Sequence, residues 1–237
     1  MSDRDQRVAV ITGASQGIGA GLVAAYRKLG YAVVANSRAI GESRDPDVLA
    51  VPGDIADPGT AERVIAAGVS RYGRVDTLVN NAGVFIAKPF TDYTQEDYEA
   101  VIGVNLTGFF HVTQLALPYL LAQGGGHIVQ VTTSLVDHAN SSVNAALASL
   151  TKGGLQSVTK ALAIEYAARG IRANAVSLGV IKTPMHQEAH YEFLGALHPL
   201  GHMGEVEDVV GAVTYLETAP FVTGEILHVD GGQSAGH

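Results

Sequence analysis

The stretch Thr12-Gly13-Ala14-Ser15-Gln16-Gly17-Ile18-Gly19 decides the fold. Before it, residues 7–12 (RVAVIT) form a short β-branched run, the signal of a buried strand. After it, Ile18, Leu22, Ala25 and Leu29 recur at helical spacing until Gly30, a usual helix stop. A glycine-rich turn between strand and helix lets backbone approach a pyrophosphate and aims the free N–H groups and positive dipole end of the helix at it. Alone, such a loop is weak evidence and could be only a tight turn; its setting between strand and helix favours phosphate binding.

The same alternation continues outward. Residues 31–36 (YAVVAN), 48–51, 75–80 (VDTLVN), 127–132 (HIVQVT), 171–177 and 225–229 read as strands. Residues 61–71, 94–103, 106–121, 144–168 and 206–216 read as helices, Pro118 bending the third of these, while 179–204 is irregular. Strands alternating with helices predict an α/β, single-domain Rossmann fold over residues 1–237, with a doubly wound parallel sheet of about seven strands. A 47% hydrophobic content suffices for a sheet buried on both faces. The formal net charge of -8 argues against nucleic acid and anionic membrane surfaces as partners. Without cysteine there is no disulfide, thiolate nucleophile or cysteine metal site. Residues 1–7 are polar with no apolar signal segment, and no apolar run reads as long enough to cross a bilayer, so a cytoplasmic protein is expected.

Further features fall in a fixed order: Gly53-Asp54 after the third strand, Asn80-Asn81-Ala82-Gly83 after the fourth, Asn105 in the following helix, and Lys152 early in the long helix. Asn174-Ala175-Val176-Ser177-Leu178-Gly179 with Thr183, then Thr223-Gly224 and Val229-Asp230-Gly231-Gly232, complete the set. Across almost the whole chain this resembles the short-chain dehydrogenase/reductase family. The resemblance implies a nicotinamide dinucleotide held by Gly13, Ser15, Gln16, Gly17, Ile18 and Gly19 at the pyrophosphate and adjoining ribose. Asp54 and Ile55 would border the adenine, and Asn81, Ala82, Gly83 and Lys152 the cofactor ribose. Gly179, Ile181 and Thr183 would meet the nicotinamide carboxamide or phosphates. It also implies a substrate lid at about 179–204 and a homodimer or homotetramer paired through helices 106–121 and 144–168. The residues themselves leave open that Asp54 only caps a turn, that Asn80 only ties strands, and that both helix faces are covered within one chain.

Cofactor identity turns on Asn36-Ser37-Arg38. An NAD enzyme usually carries a carboxylate there for the ribose 2′-OH. Here Ser37 takes the acidic position and Arg38 follows, so a guanidinium stands ready for a 2′-phosphate unless it is a solvated surface arginine. This favours NADP(H) over NAD(H), although Gln16 in the glycine loop is neutral.

The catalytic pattern departs from the family. Its members pair a Tyr with a Lys four residues later, aided by a Ser and an Asn; here Ala148 precedes Lys152. The missing phenol removes a positioned proton donor, an effect of typically about 10²–10⁴ in rate, while hydride transfer still needs mainly alignment. The hydroxyl position falls on Thr133 or Ser134, either of which could instead cap the strand end. The resemblance implies that Asn105 kinks its helix and holds a water near Lys152; the residue alone also reads as helix-bend packing. His138 is an alternative acid or a solvated loop residue, and Tyr93, Tyr98 and Tyr191 could reach the pocket. His186/His190 and His198/His202 have metal-ligand spacing, but no H-E-x-x-H accompanies them and Pro199 breaks the second pair, so no metal is expected. Met185, Phe193, Leu194 and Leu197 suggest a partly apolar pocket. The expected function is an NADP(H)-dependent oxidoreductase acting on a small-molecule carbonyl-like, imine or activated alkene substrate with a nonstandard proton donor. The alternative is a dinucleotide-binding sensor or scaffold without turnover.

Overall fold

In the computed structural model, which describes residues 6–236, seven strands form one parallel sheet. In chain order they are β1 (Val8–Thr12), β2 (Ala32–Ser37), β3 (Val48–Pro52), β4 (Thr77–Asn80), β5 (Gly126–Thr133), β6 (Ile171–Leu178) and β7 (Ile226–Val229). Their spatial order is β3-β2-β1-β4-β5-β6-β7. The winding reverses between β1 and β4, and such a switch point opens a crevice at the carboxyl ends of the strands. The helices are α1 (Gly17–Lys28), α2 (Pro58–Tyr72), α3 (Gln95–Ile102), α4 (Phe109–Ala122), α5 (Ala146–Tyr166), α6 (Tyr191–Ala196) and α7 (Val206–Thr218). This is the doubly wound fold expected. The polar residues at the extreme N-terminus, on which the absence of a signal segment was read, lie mostly outside the described residues.

The central strands are buried on both faces, which is why their sequences run apolar without alternation. One core, including Val8, Val10, Leu78 and Ile128, lies on one face of the sheet. The other, including Ile11, Val79, Val129 and Val213, lies on the opposite face.

Local chemistry sets the boundaries that pattern alone misses. Helix α2 begins at Pro58, three residues before its apolar periodicity, because the Asp57 side chain accepts from the Gly59 N–H at 3.0 Å and proline suits the first helical position. It stops at Gly73, whose φ of 77° is left-handed. The region 179–204, read as irregular, contains the short helix α6 and an isolated bridge between Ile181 and Gly204.

The two helices read at 94–103 and 106–121 are one continuous element. A π-helical turn at Gly103–Gly108 joins α3 to α4 and carries Asn105, and the helix runs on through Pro118 to Ala122. The joined stretch Gln95–Ala122 has 28 residues and contains an 18-residue window of mean hydropathy 1.4, enough by length and composition alone to cross a membrane. That corrects the sequence reading, which split it in two. Here Val112, Thr113, Ala116 and Leu120 of α4 are buried against the rest of the molecule.

A polar cluster ties the amino ends of the strands together. Glu217 of α7 accepts from Tyr31 (2.6 Å), Tyr26 (2.9 Å), Thr77 (3.0 Å) and His127 Nδ1 (2.8 Å). Asn174 donates to His127 Nε2 at 3.0 Å, so the ring is neutral with its proton on Nδ1; burial likewise lowers the His127 pKa. Burial alone would raise the Glu217 pKa, but the hydrogen bonds from His127, Tyr31 and Tyr26 outweigh it and hold the carboxyl at about 2. A carboxyl depressed on folding contributes stability above its ordinary pKa that is lost as pH falls towards the folded value. Glu217→Gln is therefore expected to lower stability at pH 6 by about 2–3 kcal/mol. The gap should narrow as pH falls from about 4.5 towards 2, read from urea midpoints at several pH values. A gap independent of pH would contradict this assignment.

Candidate active site

The loop after β1 and the loop after β4 are fastened to each other. Asn81 Nδ2 donates to the carbonyl oxygens of Thr12 (2.9 Å) and Gly13 (3.1 Å), while Thr12 Oγ1 accepts the N–H groups of Asn81 and Ala82. The approach is so close that a Cβ on Gly13, at φ 66°, would stand 2.9 Å from Ala82 Cα, and one on Gly19 would collide with the Gly13 carbonyl oxygen. Glycine is required at both positions.

Beyond this fastening lies a cavity of about 440 Å³ at the carboxyl ends of the strands. Helix α1 points its first turn into it with no side-chain cap and no acidic residue in that turn. Its leading N–H groups and positive dipole end are thus uncompensated, the arrangement that suits a phosphate. Ser15 Oγ and Ser37 Oγ are 2.9 Å apart, linking the glycine loop to the end of β2, and exposed Arg38 stands beside them on the cavity rim. Asn36, to which the sequence reading gave no role of its own, donates to the carbonyls of Val51 and Gly53 and fixes the β2–β3 edge.

Every residue expected at the dinucleotide lines this one cavity: Gly13, Ser15, Gln16, Gly17, Ile18, Gly19, Ser37, Arg38, Asp54, Ile55, Asn81, Ala82, Gly83, Lys152, Gly179, Ile181 and Thr183. Asp54 also bonds the Ala56 N–H at 3.0 Å, so it does close a turn. Asn80 ties elements together, donating to Thr113 of α4 at 3.1 Å.

The far end of the cavity is built on α5. Lys152 and Ala148 lie one turn apart and share a face. The ammonium donates to the Val131 carbonyl at 2.7 Å, and burial pulls its pKa down to about 8. Ala148 is 2% exposed and packs with Leu135, Ala145 and Val143.

The two candidate hydroxyls part company. Thr133 lines the cavity, with its Oγ1 accepting from the Leu135 N–H at 3.4 Å. Ser134 is fully buried behind it, bonded to Leu178 O (3.2 Å) and Gln233 Oε1 (2.7 Å), and does not face the cavity. Ser134 is therefore corrected from a site candidate to a packing residue: at the end of β5 successive side chains point to opposite sides. Asn105 also stands outside the main cavity. It brackets Val84, accepting its N–H (2.8 Å) and donating to its carbonyl (3.0 Å), and donates to Thr151. A Cβ on Gly83 would lie 3.0 Å from Lys152 Nζ and 3.5 Å from Asn105 Oδ1, so both side chains lie close beneath Gly83.

The histidines sort by burial. His138 does not line the cavity, whereas His186 does, its pKa lowered by burial. His198 is buried and accepts the Val180 N–H at 2.9 Å, while His202 bonds the Met203 carbonyl and His190 is exposed. The paired spacings thus do not converge on one point. Tyr93 is spent on the Ile86 carbonyl, and neither Tyr98 nor Tyr191 lines the cavity. Met185, Leu194 and Leu197 supply the expected apolar wall; Phe193 faces solvent instead. Phe85, Val143 and Gln233 also line the cavity. The sequence held no periodic signal for them, because each arrives from a loop or terminal turn.

A family model described as enoyl-(acyl carrier protein) reductase matches residues 13–234. The 3-oxoacyl-[acyl-carrier-protein] reductase of Thermotoga maritima is 35% identical over 240 residues, covering 95% of this chain and 97% of its own. Among solved structures, the Brucella melitensis 3-ketoacyl-(acyl-carrier-protein) reductase complexed with NADH superposes with a TM-score of 0.89 at 30% identity, covering 96% of this chain and 98% of its own. A blue fluorescent protein from a metagenomic library, in complex with NADPH, superposes with a TM-score of 0.87 at 31% identity, covering 98% and 99%. The chain belongs to the short-chain dehydrogenase/reductase family of oxidoreductases.

Proposed function

We propose that this protein is an NADP(H)-dependent oxidoreductase reducing a small carbonyl-like, imine or activated alkene compound with a proton donor other than the family's tyrosine. One observation carries the reading: a single cavity runs from Arg38 past the uncapped start of α1 to the Lys152–Ala148 end. The residues fit a dinucleotide, since glycines at 13 and 19 let backbone come close where a Cβ could not be placed. Gly17, Ile18 and Gly19 would hold the pyrophosphate, Ser37 and Arg38 the 2′-phosphate, Asp54 and Ile55 the adenine. Asn81 to Gly83 and Lys152 would hold the ribose, and Gly179, Ile181 and Thr183 the nicotinamide end. Solved structures of relatives with NADH and with NADPH support this choice of ligand class. When bound, the reduced nicotinamide supplies hydride.

The chain itself must manage the proton. At the apolar end the groups with a proton to move are Thr133, Lys152 and His186. A threonine hydroxyl is too weak an acid to act unaided, so it orients while the ammonium or imidazole donates. A protonated imine needs no such donation, which suits Ala148 better than a ketone does. The competing reading, a sensor or scaffold without turnover, draws on Ala148 being packed in an apolar cluster. Retention of Lys152 and Thr133 in the cavity favours catalysis.

The reading extends to assembly. Phe110 on α4, with Leu150 and Ile164 on α5 at 62% and 82% exposure, are apolar groups facing outward, and we assign them to the contact surface of a homodimer or homotetramer. The cytoplasmic location expected from the sequence goes with this function.

Calorimetric titration of NADP⁺ and NAD⁺ into nucleotide-free protein tests the cofactor. NADP⁺ should bind more tightly, and Arg38→Ala should weaken it at least about tenfold while leaving NAD⁺ nearly unchanged. Equal affinity for both dinucleotides in the unaltered protein would contradict it. For the proton, Ala148→Tyr is expected to raise ketone reduction by about tenfold or more. An unchanged rate would mean that an acid already present does this work.

A further inference from the structure

Strand β6 leaves the sheet beside the cavity with one backbone N–H that the strand ladder does not take up. The Gly179 N–H still donates to the Val229 carbonyl of β7 at 3.1 Å. Just beyond, the neighbouring chain turns away at Gly231, where φ is 59°. The Val180 N–H is left without a strand to pair with, and a backbone donor inside the molecule needs another acceptor.

His198 supplies it. The residue is 4% exposed, and its Nε2 accepts the Val180 N–H at 2.9 Å. An amide nitrogen only donates, so the ring proton sits on Nδ1, which stands 3.3 Å from the Gly195 carbonyl of α6. Glycines make room for the ring: a Cβ on Gly179 would come 2.6 Å from Nε2, and one on Gly231 would come 3.1 Å from His198 Cβ. The backbone around it is tied as well, with the His198 carbonyl accepting the Gly201 N–H at 2.8 Å and the Gly231 carbonyl accepting the Leu200 N–H at 3.1 Å. The imidazole is thus wedged between the exit of β6, the turn after β7 and α6.

What hangs on Val180 is the strap 179–183. Gly179, Val180, Ile181 and Thr183 all line the cavity, whereas His198 does not. On its other side the strap is paired with Gly204, whose N–H donates to the Val180 carbonyl at 3.0 Å and whose carbonyl accepts the Lys182 N–H at 2.8 Å. The histidine therefore acts on the cavity only through Val180.

We propose that His198 is a positioning residue for the nicotinamide half of the cofactor: its Nε2 sets the strap 179–183 against the cavity and, through Gly195, ties that setting to α6. The positioning role rests on the dinucleotide reading, whereas the hydrogen bond to Val180 does not.

Two measurements separate these. Ring-nitrogen NMR of labelled protein should show His198 with a proton on Nδ1 and none on Nε2; a proton on Nε2 would overturn the proposal whatever ligand binds. Calorimetry then compares NADP⁺ with adenosine 2′,5′-bisphosphate, which carries the 2′-phosphate but no nicotinamide. His198→Leu removes the acceptor and should weaken NADP⁺ about tenfold while leaving adenosine 2′,5′-bisphosphate within about twofold. His198→Gln, whose amide oxygen can reach the place of Nε2, should restore most of the NADP⁺ affinity. Equal weakening of both ligands, weakening of neither, or failure of glutamine to restore what leucine loses would overturn the role. Should His198→Leu not fold, His198→Gln decides: near-unaltered NADP⁺ affinity supports the role, and its loss overturns it. Unaltered protein that binds neither ligand would sink the dinucleotide reading, and the positioning role with it, even where the ring proton is found on Nδ1.

Discussion

The Asn81 side chain, gripping the carbonyls of Thr12 and Gly13, is the contact on which the site depends. It joins the ends of β1 and β4 at the place where the sheet reverses its winding, so it holds the crevice open at a fixed width. Thr12 returns the grip by accepting the N–H groups of Asn81 and Ala82. These bonds satisfy backbone groups that would otherwise be orphaned at the strand ends, where no ladder partner remains. The same closeness excludes any side chain at Gly13 or Gly19. The glycines are therefore not merely permissive: they are what the fastening demands, and they leave the start of α1 bare for an anion.

A second fastening at the opposite ends of the strands gives the first something rigid to act on. Glu217 gathers hydroxyl and imidazole donors from α1, the start of β2, β4 and β5. Arg172 backs it by donating to the Leu216, Glu217 and Val222 carbonyls. With both ends of the sheet tied by polar networks and both faces packed on apolar cores, the frame holds the loops at the carboxyl ends around the cavity. Function on such a frame is set by which side chains those loops present.

This division explains what was legible in the sequence. The glycine loop, Asn81–Gly83 and the strand–helix alternation were readable because backbone geometry forces residue type at those positions. The dinucleotide-side residues accordingly fell on one cavity without exception. The hydroxyl position was not readable, because the choice between Thr133 and Ser134 depends on which side of the last strand residue faces the crevice, and one step reverses it. The irregularity at Asn105 was expected as a kink, but its form, a π turn inside one continuous helix, was not, because an extra residue in a helix leaves no change of composition. The Glu217 cluster draws on positions 26, 31, 77, 127 and 217, too scattered for any local pattern. Gln233 and Val143 reach the cavity from a terminal turn and a loop, where no periodicity exists to be read.

The recess at the far end of the cavity places Lys152 one turn of α5 from Ala148. The central claim is that one dinucleotide lies along the whole cavity and delivers its reactive end to that recess. A crystal structure of the protein grown with NADP⁺ tests it most directly. The account predicts the pyrophosphate against the N–H groups at the start of α1, the 2′-phosphate at Arg38, and the nicotinamide facing Lys152 and Ala148. A dinucleotide bound elsewhere, or with its nicotinamide turned away from Ala148, would contradict it.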